Sequence, residues 1–141
     1  MNKLSILLCL FFFALTQCVT QNAVVNCAKK QFGKPYAAGA AGPDKFDSSG
    51  LAYYCHNKAI PRASIDQLKG NGKKISKDNV EPGDLMFWNL NGNGVIHTTI
   101  CVGDGYMIDV PNKLGDKVIV IKYKDNRYWE KVFVGVRRYW S

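Results

Sequence analysis

The hydrophobic period changes once along this chain, near Lys74, and that change limits the fold more than any other feature. Before it, apolar residues recur at helical spacing: positions 24, 27, 28 and 32 of Asn22–Phe32 share one face, and "SSGLAYYCHN" from Ser48 places Leu51, Tyr54 and Cys55 on one side. A Gly- and Pro-rich loop, "GKPYAAGAAGPD", separates these two helices. Ser64 and Gln67 are spaced as a capping box for a third, short helix. After Lys74 the period is two. Strands are expected at 84–89, 95–102, 106–110, 117–123 and 132–139, broken by the turn compositions "EPG", "NGNG", "GDG" and "DNRYWE". Helices first, then strands joined by short turns, give an α+β domain with helices packed on an antiparallel sheet.

The first twenty residues are expected to lie outside that domain. Leu4–Leu15 is a twelve-residue apolar run after Lys3, which suits a secretory leader and is too short to span a bilayer. A cut after Thr20 leaves one domain over residues 21–141 and predicts a secreted, extracellular protein without a membrane anchor. The full chain carries net charge +8, and removing Lys3 leaves +7. Such a surface is drawn to anionic surfaces such as bacterial walls, acidic glycans or lipid headgroups, among which charge alone does not choose, whereas no nucleic-acid-binding motif is present. Cys27, Cys55 and Cys101 would remain, enough for at most one internal disulfide with one thiol left over. Three separate, mostly buried cysteines are the expectation; a meeting of Cys55 with Cys101 is the other arrangement considered. No zinc-ligand spacing occurs and no cofactor is expected.

The candidate chemistry starts at "FDSSGL". Ser48 sits at the head of the second helix, where free backbone N–H groups and the helix dipole favour negative charge. Asp47, Ser48 and Ser49 are all good N-caps, so an ordinary capping role competes with a nucleophilic one. Of the two histidines, His56 is expected at the solvated far end of that helix, and His97 lies inside "VIHTTICV". His97 is thus the one base available to Ser48. Alternation puts His97, Thr99 and Cys101 on one face of their strand. An odd-length turn at "GDG" brings Asp109 to that face, with Thr99 opposite it and His97 on the diagonal, about 7–8 Å away between backbones. A two-residue turn sends Asp109 to the other side.

Taken in order, "AKKQFGKPYAAGAAGPDKFDSSGL", "IPRASIDQ", "EPGDLMFW", "IHTTICVGDGYMID" and "VGVRR" resemble the NlpC/p60 family of papain-like cell-wall peptidases over nearly all of the chain beyond the leader. The resemblance implies a papain-like α+β fold and a monomer that takes peptidoglycan stem peptides or related peptides. The usual bond cut is γ-D-glutamyl–diamino acid, with no metal or cofactor. It further implies Ser48 at the seat of the family's nucleophilic cysteine, His97 as base, and Asp109 as the third polar residue, usually His, Asn or Gln. Tyr36 would serve the oxyanion or substrate site, and Asp47 and Ser49 would line the pocket for the peptide's free amine. Arg62, Ser64 and Gln67 match a segment near the site whose expected role is structural.

Serine at position 48 changes the chemistry. A cysteine thiol beside an imidazole at a helix head ionises before substrate arrives, whereas an alcohol must lose its proton during attack. An acidic orienter suits that harder task, because it stabilises the imidazolium as it forms. Two readings follow: a peptidase of weakened or altered activity using Ser48, His97 and Asp109, or an inactive family member that binds muropeptides or other acyl-peptides.

Overall fold

The computed structural model describes residues 19–141. The leader expected over residues 1–20 therefore lies almost wholly outside the described residues. Its last two positions are described, and they belong to the packed domain. Val19 is 7 % exposed in the main core and its carbonyl accepts the N–H of Ser141, while Thr20 caps the first helix by accepting from the Ala23 N–H at 3.2 Å.

Helices α1 (Gln21–Lys30), α2 (Ser48–Cys55) and α3 (Ser64–Lys69) come first. They are followed by β1 (Lys73–Ile75), a 3-10 turn (Lys77–Asn79), β2 (Leu85–Trp88), β3 (His97–Gly103), β4 (Tyr106–Asp109), β5 (Ile119–Lys122), α4 (Arg127–Val132) and β6 (Phe133–Arg138). All strand pairs are antiparallel, in the order β1-β6-β2-β3-β4-β5. The sheet is buried on both faces. Leu85, Phe87, Ile100 and Ile108 pack with Val24, Ala28, Leu51 and Ala52 of the helices. The alternate residues Met86, Trp88, Cys101, Met107 and Val136 form a second cluster closed by Trp129 of α4.

Three expectations fail for identifiable reasons. "DNRYWE" is not a plain turn: Asn126 accepts from the N–H groups of Tyr128 and Trp129, and the helix so capped sets Trp129 against Trp88 with ring centroids 4.8 Å apart. The capping box at Ser64 does not form. Ala63 is the N-cap, and Ser64 and Gln67 turn inward to bond the sheet. The three cysteines are not all separate, because Cys27 of α1 and Cys55 of α2 are joined in a disulfide with Cα atoms 5.4 Å apart. Cys101 is the free, buried thiol.

The β3–β4 connection settles the parity on which Asp109 depends. Asp104 and Gly105, with φ of 56° and 81°, make a two-residue turn with left-handed backbone at both positions. Alone it would put Asp109 on the wrong face. The pairing then shifts between Cys101 and Gly103, and this bulge supplies the extra residue. Ile100 stands opposite Ile108 and Cys101 opposite Met107, a register that sets Thr99 across from Asp109.

Candidate active site

Ser48 is placed by how α2 begins. Asp47 is extended (φ −99°, ψ 177°) and its Oδ1 accepts the Gly50 N–H at 2.6 Å. Its Oδ2 accepts from the Gly39 N–H at 3.0 Å and from Arg62 at 2.9 Å. Arg62 also donates to Ser49 Oγ at 2.8 Å. Asp47 and Ser49 are thereby tied into a cap-and-arginine cluster, and Ser48 between them is left out of it. Among the described residues, no hydrogen bond occupies the Ser48 hydroxyl or its backbone N–H. Gly50 is required here because a Cβ would strike the carbonyl oxygen of Ala40, part of the loop folded against the helix head.

His97 opens β3 and is 6 % exposed. Its Nε2 lies 2.5 Å from Asp109 Oδ1, and Asp109 is 4 % exposed. A carboxylate can only accept, so the neutral ring carries its proton on Nε2 and leaves the Nδ1 lone pair free. Thr99, opposite Asp109 in the register, accepts from the Trp88 indole N–H at 2.7 Å.

A groove of about 620 Å³ runs past these groups. Tyr36, Asp47, Ser48, Ser49, Arg62 and Ser64 line it together with His97, Asn112 and parts of the stretch 90–96. Of the six site residues read from the sequence, five line this groove. The sixth, Asp109, touches it through His97. No hydrogen bond joins Ser48 to His97. Among the described residues no group of acids, histidines or cysteines could hold a metal ion. A larger hollow of about 810 Å³ lies beside the second cluster and α4, but no nucleophile–base pair lines it, and burial pushes the pKa of its thiol, Cys101, upward.

His56 is not solvated as expected. It is 1 % exposed at the C-terminus of α2, its Nδ1 is 2.7 Å from the Ala52 carbonyl, and its Nε2 has no partner. Burial holds its pKa below the usual histidine value. Reading "YYCHNK" as a polar helix end overlooked that Tyr139, from the far end of the chain, lies edge-on beside the ring.

A helix-head hydroxyl and a carboxylate-held imidazole thus line one groove on a papain-like α+β scaffold. In comparison with known proteins, residues 33–138 match the NlpC/P60 family, and the chain belongs to that family; relatives it matches are a gamma-DL-glutamyl hydrolase and probable endopeptidases. It is 35 % identical over 122 residues to the gamma-DL-glutamyl hydrolase of Bacillus subtilis, covering 82 % of this chain but 29 % of that protein. This chain thus spans under a third of that relative's length. Among solved structures, an NlpC/P60 family protein from Bacillus cereus superposes with a TM-score of 0.77 at 29 % identity, over 88 % of this chain and 41 % of that one. The NlpC/p60 domain of the peptidoglycan hydrolase SagA gives 0.69 at 30 % identity, over 84 % of this chain and 98 % of that one.

Proposed function

We infer that this protein is a secreted peptide hydrolase of bacterial cell-wall stem peptides or closely related peptides. Ser48 is its nucleophile, His97 its base and acid, and Asp109 the group that orients His97. The observation that carries this reading is the buried contact between His97 Nε2 and Asp109, which leaves Nδ1 free in the groove that also holds Ser48. Cell-wall peptides as substrates rest on the likeness to a gamma-DL-glutamyl hydrolase and a peptidoglycan hydrolase domain. The γ-D-glutamyl–diamino acid bond is the finer assignment. The basic chain, net +8, favours residence on anionic walls.

In the acylation step the Ser48 Oγ–H proton passes to His97 Nδ1 as Oγ bonds to the scissile carbonyl carbon. The carbonyl oxygen takes up the electron pair near the open Ser48 N–H and the positive end of α2, with Tyr36 in the same groove. His97 then returns the proton to the leaving amine as the C–N bond breaks, and water reverses these roles to release the acid. Asp47 and Ser49, fixed by Arg62, offer oxygens to the peptide's free ammonium. Because an alcohol cannot pre-ionise here, turnover is slower than with a thiol in the same seat.

The missing hydrogen bond between Ser48 and His97 favours a second reading, a groove that binds such peptides without cutting them. Hydrolysis of a muropeptide by the wild type, Ser48→Ala and Ser48→Cys proteins, followed by chromatography, decides between them. The peptidase reading expects wild type above Ser48→Ala and Ser48→Cys above both. Equal silence of wild type and Ser48→Ala, with cleavage by Ser48→Cys, leaves only the binding reading.

A further inference from the structure

Gln67 is wholly buried, and each polar atom of its amide is used. Its Nε2 donates to the Ser49 carbonyl at 3.1 Å and to the Pro61 carbonyl at 2.9 Å. Its Oε1 accepts from the Thr98 hydroxyl at 3.0 Å, and Thr98 Oγ1 is also 2.7 Å from Ser64 Oγ. Two carbonyls facing Nε2 fix which way the amide points. Ser49 follows Ser48 in the chain, and Thr98 follows His97. Pro61 precedes Arg62, which holds Asp47 and Ser49. One side chain therefore ties together the backbones that carry the proposed nucleophile, the proposed base and the arginine of the amine pocket. From behind, the Tyr139 hydroxyl donates to the Gln67 carbonyl at 2.6 Å and anchors the turn of α3 that presents it.

Among the described residues, no other buried polar side chain near the groove joins all three elements. Asp47 and Arg62 bond each other at the head of α2, and among the described residues the Asp109 side chain bonds only His97. Ser48 and His97 line the same groove with no hydrogen bond between them, so the elements that carry them are held in place by other contacts. Loss of the amide would leave the buried Ser49 and Pro61 carbonyls without this donor and Thr98 without this acceptor, which removes the direct tie between the first turn of α2 and the start of β3.

We propose that Gln67, seated on Thr98, is a positioning residue that sets the distance between position 48 and His97. It deepens the catalytic reading above and rests on it. Gln67→Met keeps length and bulk while removing all three hydrogen bonds. Thr98→Val removes one of them, and Thr98→Ser keeps it.

The test uses the full mature domain carrying Ser48→Cys, whose thiol reports its proximity to the imidazole without any substrate. Alkylation by iodoacetamide is followed across pH, since only the thiolate reacts. Gln67→Met is expected to lower the rate near neutral pH by about tenfold or more and to move the alkylation profile toward that of a free thiol. On a cleaved muropeptide it is expected to lower kcat by about a hundredfold with little change in KM. Thr98→Val shows the same change in smaller degree and Thr98→Ser restores the parent. Val136→Ala, a loss of buried volume in the cluster on the opposite sheet face, serves as the stability-matched control and leaves the alkylation profile in place. An activated thiol whose profile Gln67→Met and Val136→Ala leave equally unmoved overturns the positioning role alone. An ordinary thiol in Ser48→Cys itself overturns both this proposal and the catalytic reading.

Discussion

Replacing Cys27 and Cys55 by alanine removes the bond that holds α1 to α2, the helix that carries Ser48. The two cysteines are 28 residues apart in sequence. In the chain-entropy treatment, closing a loop of that length removes about 12 cal/mol/K from the unfolded ensemble, or about 3.6 kcal/mol at 25 °C. Unfolding entropy of about 2.1 cal/mol/K per residue over the described domain converts this to a drop in Tm of about 14 °C. A domain of this size has only about 5–15 kcal/mol of stability in total, so the loss is large but leaves a folded protein. Urea unfolding followed by tryptophan fluorescence measures it, because Trp88 and Trp129 are buried against each other. Wild type in reducing agent should match the Cys27→Ala/Cys55→Ala protein, and the double variant should not respond to reductant. The urea m-value should rise as well, since the uncrosslinked unfolded chain exposes more surface. A loss under about 1 kcal/mol by both routes would refute this reasoning, because it would mean the unfolded chain is not appreciably restricted by the bridge.

Three more outcomes follow from the same coordinates. Asp84 is fully buried and is held by Arg138 through two hydrogen bonds of 2.7 and 2.8 Å, with the Trp140 indole at 3.0 Å. Arg138→Met should therefore cost about 3 kcal/mol or more in urea unfolding, far above an exposed arginine replacement. His56 titrates below the unfolded-state value of about 6.5 because burial disfavours its charge. The unfolded chain binds the proton first, so stability is full above that pH and falls as acid carries it down toward the lower folded value. Tm measured at about pH 7.5 and about pH 5 should drop more for wild type than for His56→Gln, and equal drops would contradict the assignment. Asp109→Asn should reduce hydrolysis by wild type by about 10³-fold or more while affecting the Ser48→Cys protein far less, because only the alcohol needs an imidazolium stabilised during attack. A similar loss in both backgrounds would contradict that difference.

Residues whose environment is made by neighbours in sequence were readable. The helical spacing of α1 and α2 and the alternation of β2 to β6 appear in the chain itself, as does the head of α2 at "DSSG". The Asp109 parity was half readable: the sequence offers "GDG" as two or three residues, and only the bulge after Cys101 decides. What stayed hidden was made by distant segments. His56 is buried with the Tyr139 ring edge-on beside it, and Ser64 and Gln67 abandon a local cap for Thr98. Strand β1 is three residues, "KKI", whose partner is the C-terminal strand, so alternation had nothing to register. The disulfide needed the packing of α1 on α2, a tertiary fact with no local signature.

Central to the account is that the hydroxyl at position 48 is activated by the imidazole of His97 as held by Asp109. Intact-mass analysis after exposure to a small fluorophosphonate tests this without knowledge of the substrate. The prediction is one adduct per chain, on Ser48, absent in Ser48→Ala and strongly slowed in His97→Gln. Labelling of wild type no faster than Ser48→Ala, or an adduct rate that His97→Gln leaves unchanged, would contradict it.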